Sequence, residues 1–527
     1  MNGVNKKKNK INYANRFTAI LFVALMVNLA FYWLPDSIFG MQIKKVDLLS
    51  DIRIPSEDDS SGLLALFPEE DFDEDEPPTD FPQKNETGPE INISDSVLNP
   101  PVPPNIQAAV NNGNTSQEPS STTGTENSNS QSANPNETSS QTFDDDKHNT
   151  NYLFNTNIED FTSGHTGLRR FFAALNNINS LGRPVRIAFV GDSFIEGDIV
   201  VADFRAKMQE RFGGRGVGFI PISSNVSQYR PTIKQSADGW KTYSIIKNKN
   251  RKYVISGLQF EPASNSASVQ FQTVDMYPRL EEVSSLKFIY SGNTEADMVL
   301  KSDMDTSFYE LPPTESITQY EIKGHFSKGV LQFKNAQGLK AIGIALEDNY
   351  GVIVDNFSLR GNSGIIMSEL DSESCRNLQQ IRPYDLIVLQ YGLNVASDSV
   401  REYGWYRNKM VSVIEHMQHC FPGADILMLG VSDRSHKRGS SYSTMPAVVS
   451  LLRAQRQTAK RTEVAFWSIF AAMGGENSMV KYVNSNWASK DYTHLSFRGG
   501  REIANALYDA IITEKGLYDG DEKLVER

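Results

Sequence analysis

The stretch Val185-Arg-Ile-Ala-Phe-Val190-Gly191-Asp192-Ser193-Phe194 decides how this chain is read. A short apolar run bounded by Pro184 and Gly191 reads as a buried strand. Gly191-Asp192-Ser193-Phe194 follows directly, and a helical stretch then runs through Arg211. At such a strand-to-helix junction a serine side chain projects at the strand's carboxyl edge. Its backbone N–H lies at a helix N-terminus, where a developing anion is stabilised. The other reading is that Ser193 only caps the helix.

Working outward, the same grammar repeats. Tyr384-Asp-Leu-Ile-Val-Leu389 is a second buried-strand pattern, ending at Gln390-Tyr391-Gly392-Leu393-Asn394. Asp425-Ile-Leu-Met-Leu-Gly430 is a third, ending at Ser432-Asp433-Arg434-Ser435. Helical spacing marks 166–181, through Leu168, Phe171, Phe172, Leu175, Ile178 and Leu181. Helical stretches also lie around Trp405–Gln418 and Pro446–Lys460. Alternating strands and helices imply an α/β fold, a parallel sheet with helices on both faces. Ligands in such folds bind beyond the carboxyl ends of the strands.

Near the C-terminus, Asp491-Tyr492-Thr493-His494 precedes an amphipathic helix around Ile503, Leu507 and Ile511. An Asp three residues before a His lets the carboxylate meet one ring nitrogen while the other faces a nucleophile. The chain has seven histidines. His165, His325, His416 and His419 lack an acid three residues earlier, and His148 lies in or next to a polar tract. His436, three after Asp433, is the rival, but Arg434, Lys437 and Arg438 around it suggest a solvated loop.

With these residues in view, the chain resembles the SGNH, or GDSL-type, esterases. Gly191-Asp192-Ser193-Phe194 matches the block that carries the serine, and Asn356-Phe357-Ser358-Leu359-Arg360-Gly361-Asn362 resembles the second block. Gly392-Leu393-Asn394 matches the third block, with Val395 where an Asp is common, and Asp491-Tyr492-Thr493-His494 matches the fifth. The resemblance implies Ser193 as nucleophile, His494 as base and Asp491 as its orienting acid. It also implies an oxyanion hole from the N–H groups of Ser193 and Gly361 and the Asn394 amide. No metal or cofactor is required by that chemistry.

Ser193 and Gly361 are far apart in sequence, whereas one βα unit needs a few tens of residues. The expectation is a hydrolase domain in two pieces, 151–224 and 351–527, with an insert at 225–350. Short β runs fill that interval: Tyr253–Phe260, Ala267–Val274, Leu286–Tyr290, Met298–Lys301, Thr318–Lys323, Gly329–Phe333 and Leu339–Leu346. Several short strands with turn signals suggest a β-sandwich. In placement and type it resembles the carbohydrate-binding-module-like insert of peptidoglycan O-acetylesterases, and Met473–Met479 looks like a segment of that subgroup. Exposed aromatics such as Trp240 and Tyr243 could stack on sugar rings, but aromatics in a β-sandwich more often pack in its core.

The N-terminal part adds a location. Residues 17–34 read FTAILFVALMVNLAFYWL without a charge, a span of roughly 27 Å as a helix. Residues 1–16 carry five basic groups and no acid, so they are expected on the cytoplasmic side of a signal-anchor. A cleaved signal peptide is the alternative. Residues 35–150 are acidic and Asn/Ser/Thr/Pro-rich, and read as a disordered tether. Much of the net charge of −12 sits there, in eleven acids between 56 and 80, which leaves no basic footprint for nucleic acid. Cys375 and Cys420 are too few for a disulfide scaffold or a Cys-rich zinc site, and their pairing is open.

These expectations combine into a single-pass bacterial inner-membrane protein whose catalytic domain is in the periplasm. The activity expected is a serine esterase removing O-acetyl groups from cell-envelope polysaccharide, peptidoglycan foremost. The alternatives are a lipolytic esterase or lysophospholipase, an O-acyltransferase on an exported glycan, and a non-catalytic carbohydrate-binding envelope protein.

Overall fold

The computed structural model describes residues 37–38, 41–42, 150–302 and 305–525. Ser37–Ile38 and Met41–Gln42 pair antiparallel inside the stretch expected to be disordered. The basic tail, the apolar segment 17–34 and nearly all of the tether lie outside the described residues. Among those described, no helix is long and apolar enough to cross a membrane.

The Val185–Gly191 strand is buried along its whole length, as are Leu386–Gln390, Asp425–Gly430 and Ala465–Ser468. Apolar runs without alternation are what a parallel sheet covered on both faces demands. These strands form one sheet in the order Val352–Ser358, Val185–Gly191, Leu386–Gln390, Asp425–Gly430, Ala465–Ser468, with Glu159–Asp160 antiparallel at the far edge. The chain starts in Val185–Gly191, goes to one side for its second strand, then reverses to the other side for the rest. That reversal is a topological switch point, and it opens a crevice above the carboxyl ends of Val185–Gly191 and Leu386–Gln390. Helices Val201–Phe212 and Phe497–Val525 pack together in one layer. Ser372–Ile381, Gly404–Cys420 and Pro446–Arg461 make another.

The crossover from Val185–Gly191 to Val352–Ser358 is interrupted by two antiparallel sheets. One runs Thr314–Phe326, Val283–Gly292, Leu339–Glu347, Leu258–Pro262, Trp240–Ser244, with Gly218–Ile220 also paired to Leu339–Glu347. The other runs Thr306–Leu311, Ala296–Ser302, Lys328–Lys334, Ser266–Gln272, Lys234–Asp238. In the second sheet burial alternates, as in Ser266–Gln272, where Ala267, Val269 and Phe271 face inward, whereas Val283–Gly292 and Leu339–Glu347 in the first are buried almost throughout. Facing buried sides that share one core are the signature of a sandwich. Phe288 and Phe333 meet in its core with ring centroids 4.7 Å apart.

One local expectation changes, and the favoured reading of two aromatics agrees with the structure. Tyr253–Phe260 is not one strand: only Leu258–Pro262 pairs, because Gly257, at φ 63°, turns the chain just before it. Trp240 and Tyr243 are both engaged within the insert. The Trp240 indole N–H donates to the Ser268 carbonyl at 3.0 Å and its ring meets Phe333 edge-on. The Arg251 guanidinium covers the Tyr243 ring at 3.3 Å.

The insert meets the parallel sheet through buried charge. Glu347, at the end of a sandwich strand, accepts from Arg186 and Lys287 at 2.7 Å and from both terminal nitrogens of Arg382 at 2.6–2.9 Å. Arg382 also donates through Nε to Asp355 at 2.8 Å, and Tyr384 donates its hydroxyl to the same carboxylate. Burial alone would raise the Glu347 carboxyl, but three cations outweigh it and hold the group well below its ordinary value.

Candidate active site

Gly191 ends its strand where the neighbouring backbone comes too close for any side chain. A Cβ there would lie 2.8 Å from the Gln390 carbonyl oxygen. The chain then turns: Ile195 N–H donates to Asp192 O and Glu196 N–H to Ser193 O. A single 3-10 turn, Glu196–Asp198, intervenes before the α-helix begins at Val201. Ser193 therefore does not sit in the first turn of an α-helix, contrary to the sequence reading. A tight turn aims its side chain instead.

Ser193, His494 and Asp491 come together across about three hundred residues of sequence. Ser193 Oγ lies 3.3 Å from His494 Nε2, and His494 Nδ1 lies 2.6 Å from Asp491 Oδ2. The other carboxylate oxygen of Asp491 accepts from the backbone N–H groups of Thr493 (2.9 Å) and His494 (3.0 Å) and from the Ser489 hydroxyl. Burial would raise the Asp491 carboxyl, yet the His494 hydrogen bond and charge, with Ser489, hold it well below the usual carboxylate range. An ionised carboxylate on Nδ1 leaves Nε2 as the ring atom facing the hydroxyl.

Gly361 lies in the loop after Val352–Ser358 with φ 73°, a conformation natural to glycine. Among the described residues, neither the Ser193 nor the Gly361 backbone N–H donates to a backbone carbonyl. Asn394 follows the Leu386–Gln390 strand, and its amide is already engaged: Nδ2 donates to Asp192 Oδ2 at 2.9 Å and to the Asn362 carbonyl at 3.0 Å. Asp192 is buried and also accepts from Phe194 N–H at 2.9 Å. Burial pushes its carboxyl up to about 6, against the pull of that N–H and of His494.

Sequence reasoning missed the groups beneath this rim. Asp198, buried, accepts from Arg205 (3.2 Å), Arg230 (2.9 Å), Asn356 (2.6 Å) and the Thr232 hydroxyl. It thereby ties the turn after Ser193 to the strand before Gly361 and to the segment entering the insert. Glu196, from the same turn, pairs with Arg360, next to Gly361. Apart from Arg205, seven residues from Asp198, the partners lie tens to more than one hundred residues away, so no local pattern announces them.

His436 is placed differently from the sequence reading. It is not in a solvated loop but in a hairpin, Ser435–Arg438 against Ser441–Thr444, that follows the Asp425–Gly430 strand. Its ring pairs with Asp398 at 2.7 Å, whereas Asp433 turns inward to accept from Met479 N–H at 2.8 Å. The rival Asp-His pair is thus not formed. Among the described residues no group of three or more His, Cys, Asp and Glu side chains is placed to hold a metal ion.

No family model and no curated protein matches the sequence. Solved structures do match. A peptidoglycan O-acetylesterase structure superposes with a TM-score of 0.57 at 20% identity, over 68% of this chain and 99% of that one. A family two carbohydrate esterase from Cellvibrio japonicus aligns over 54% of this chain and 98% of that one, at 10% identity and a TM-score of 0.24. The second likeness is too distant to argue from, and the first speaks for the fold. Sheet order and insert taken together, the chain has the fold of that peptidoglycan O-acetylesterase structure.

Proposed function

We propose that this chain is a serine esterase that removes O-acetyl groups from a cell-envelope polysaccharide, peptidoglycan foremost. The observation that carries the reading is the Ser193–His494–Asp491 chain of contacts at the sheet's switch point, flanked by two uncommitted N–H groups. Ser193 Oγ attacks the ester carbonyl as His494 Nε2 takes its proton, and Asp491 holds the ring and stabilises its cation. The tetrahedral oxyanion is met by Ser193 and Gly361 N–H. The Asn394 amide joins them by exchanging its Asn362 carbonyl for the oxyanion, while Asp192 keeps it in place. The sugar hydroxyl leaves with the proton from His494, and water, activated by the same ring, releases acetate.

The likeness to a peptidoglycan O-acetylesterase fold supports the substrate class. In this reading residues 17–34 anchor the enzyme in the inner membrane, and the tether lets the domain reach the wall in the periplasm.

The test is acetate release by the full-length protein from O-acetylated peptidoglycan, an acetylated xylan and a lysophospholipid, each with Ser193→Ala as control. Acetate from peptidoglycan, abolished by the substitution, is the expected result. Fatty acid from the lipid alone overturns the carbohydrate reading. No ester cleaved by folded protein overturns the hydrolytic one.

A further inference from the structure

Beside the candidate triad, the hairpin Ser435–Thr444 carries an aromatic ring that no catalytic step uses. Tyr442 lies against Tyr492 with ring centroids 3.7 Å apart and planes within 7°, and Tyr492 is two residues before His494. Full face-to-face overlap is not the geometry that aromatic pairs prefer by themselves. Tyr492 is held, moreover, at φ 58°, a left-handed conformation uncommon for a bulky residue. The pair is therefore positioned by what surrounds it.

The surroundings are rigid at the base and open at the top. Ser435 N–H donates to the Tyr492 carbonyl at 3.1 Å, tying the hairpin to the loop that holds Asp491 and His494. His436 pairs with Asp398, four residues after Asn394. Thr444 and Asn477 exchange two hydrogen bonds, of 3.2 and 2.7 Å. Tyr492 covers one face of the Tyr442 ring, and Tyr442 remains 37% exposed. The insert's own Trp240 and Tyr243, by contrast, are committed within the protein.

From this we propose that Tyr442 is the stacking platform of a sugar subsite adjoining His494, receiving the apolar C–H face of a pyranose ring next to the esterified one. A pyranose presents such a face, and a preorganised aromatic plane binds it with little ordering cost. The subsite rests on the reading that the neighbouring site takes an acylated glycan, and it adds where the chain of sugars lies: across the Ser435–Thr444 hairpin.

The experiment compares full-length wild type, Tyr442→Ala and Tyr442→Phe on an O-acetylated glycan oligomer and on p-nitrophenyl acetate, which has no sugar to stack. Tyr442→Ala is expected to lower kcat/KM on the oligomer at least tenfold, mostly through KM, and to leave p-nitrophenyl acetate within twofold. Tyr442→Phe keeps both. Equal loss on both substrates overturns the proposal, since Tyr442 would then only prop Tyr492 and the His494 loop. No loss on either overturns it too. If the wild type cleaves no ester, the esterase reading fails separately. Titration of a deacetylated oligomer into wild type and Tyr442→Ala then decides the subsite: binding weakened at least fivefold supports it, and equal binding overturns it.

Discussion

The rim above the strands' carboxyl ends and the junction where the sheet meets the sandwich are both rich in charge, and they use it in opposite ways. At the junction Glu347 and Asp355 are fully buried, and every oxygen of theirs meets donors. At the rim Ser193 N–H and Gly361 N–H have no backbone acceptor among the described residues, and the His494 and Asp491 side chains are partly open to solvent. Satisfied buried charge fixes how two layers register, because any other arrangement strands an ion away from water. Unsatisfied donors at an accessible edge are what a substrate oxygen can use. Substitutions should therefore separate rate from stability according to where they fall.

The largest effect is expected from Ser193→Ala, a loss of ester turnover on the order of 10⁴–10⁶-fold with an unchanged melting temperature. A lowered melting temperature would show that the rim also carries structure, and the contrast would fail. Next is Glu347→Ala, which leaves Arg382, Arg186 and Lys287 buried without their shared partner. It should cost about 3–5 kcal/mol in denaturant unfolding, with kcat of the folded protein little altered. Unfolding unchanged by this substitution would remove the junction from the comparison. Asn394→Ala should lower kcat by roughly 10²–10³-fold, as for loss of one oxyanion donor, and leave unfolding almost untouched. A purely structural amide, content with Asp192 and Asn362, would give the reverse result.

The smallest effect sharpens the comparison at the opposite edge of the sheet. Asp425 begins its strand, accepts from Phe171 N–H at 2.9 Å, and burial pushes its carboxyl up to about 7, partly offset by that bond. The folded state thus holds its proton more tightly than the unfolded chain does. Stability from this group is greatest below the ordinary carboxylate range of about 4 and declines as pH rises toward 7, with a slope of at most about 1.4 kcal/mol per pH unit. Asp425→Asn should lessen that decline while leaving turnover as it was, the share below about pH 6 that comes from Asp192 remaining. A slope undiminished in the variant would assign the pH dependence elsewhere.

How much of this was legible follows from what kind of signal each feature leaves. The parallel strands stand out because burial on both faces writes continuous apolar runs such as Val185–Val190 and Leu386–Leu389. The central sandwich strands are legible too, by alternation in Ser266–Gln272 and Lys328–Lys334 and by apolar content in Val283–Gly292 and Leu339–Glu347, which are buried almost throughout. The edge strands Lys234–Asp238, Trp240–Ser244 and Thr306–Leu311 were missed, because an edge open to water tolerates polar residues at most positions. At the site, Ser193 and His494 were legible as local motifs, each with its turn residues beside it. The supporting pairs Asp198–Arg230, Glu196–Arg360 and His436–Asp398 were not, since nothing in either partner's neighbourhood specifies the other.

Local sequence by itself determined the α/β alternation, the inserted β-rich segment, and which serine, histidine and acid are worth bringing together. Periodicity and turn chemistry are local, so they survive in one dimension. Three-dimensional packing set the rest: Asp433 turns away from His436, the serine sits on a tight turn ahead of its helix, and Tyr442 stacks on Tyr492, two residues before His494. Those outcomes depend on which strand ends become neighbours, and neighbours are chosen by the burial of whole layers, which no short stretch of sequence encodes.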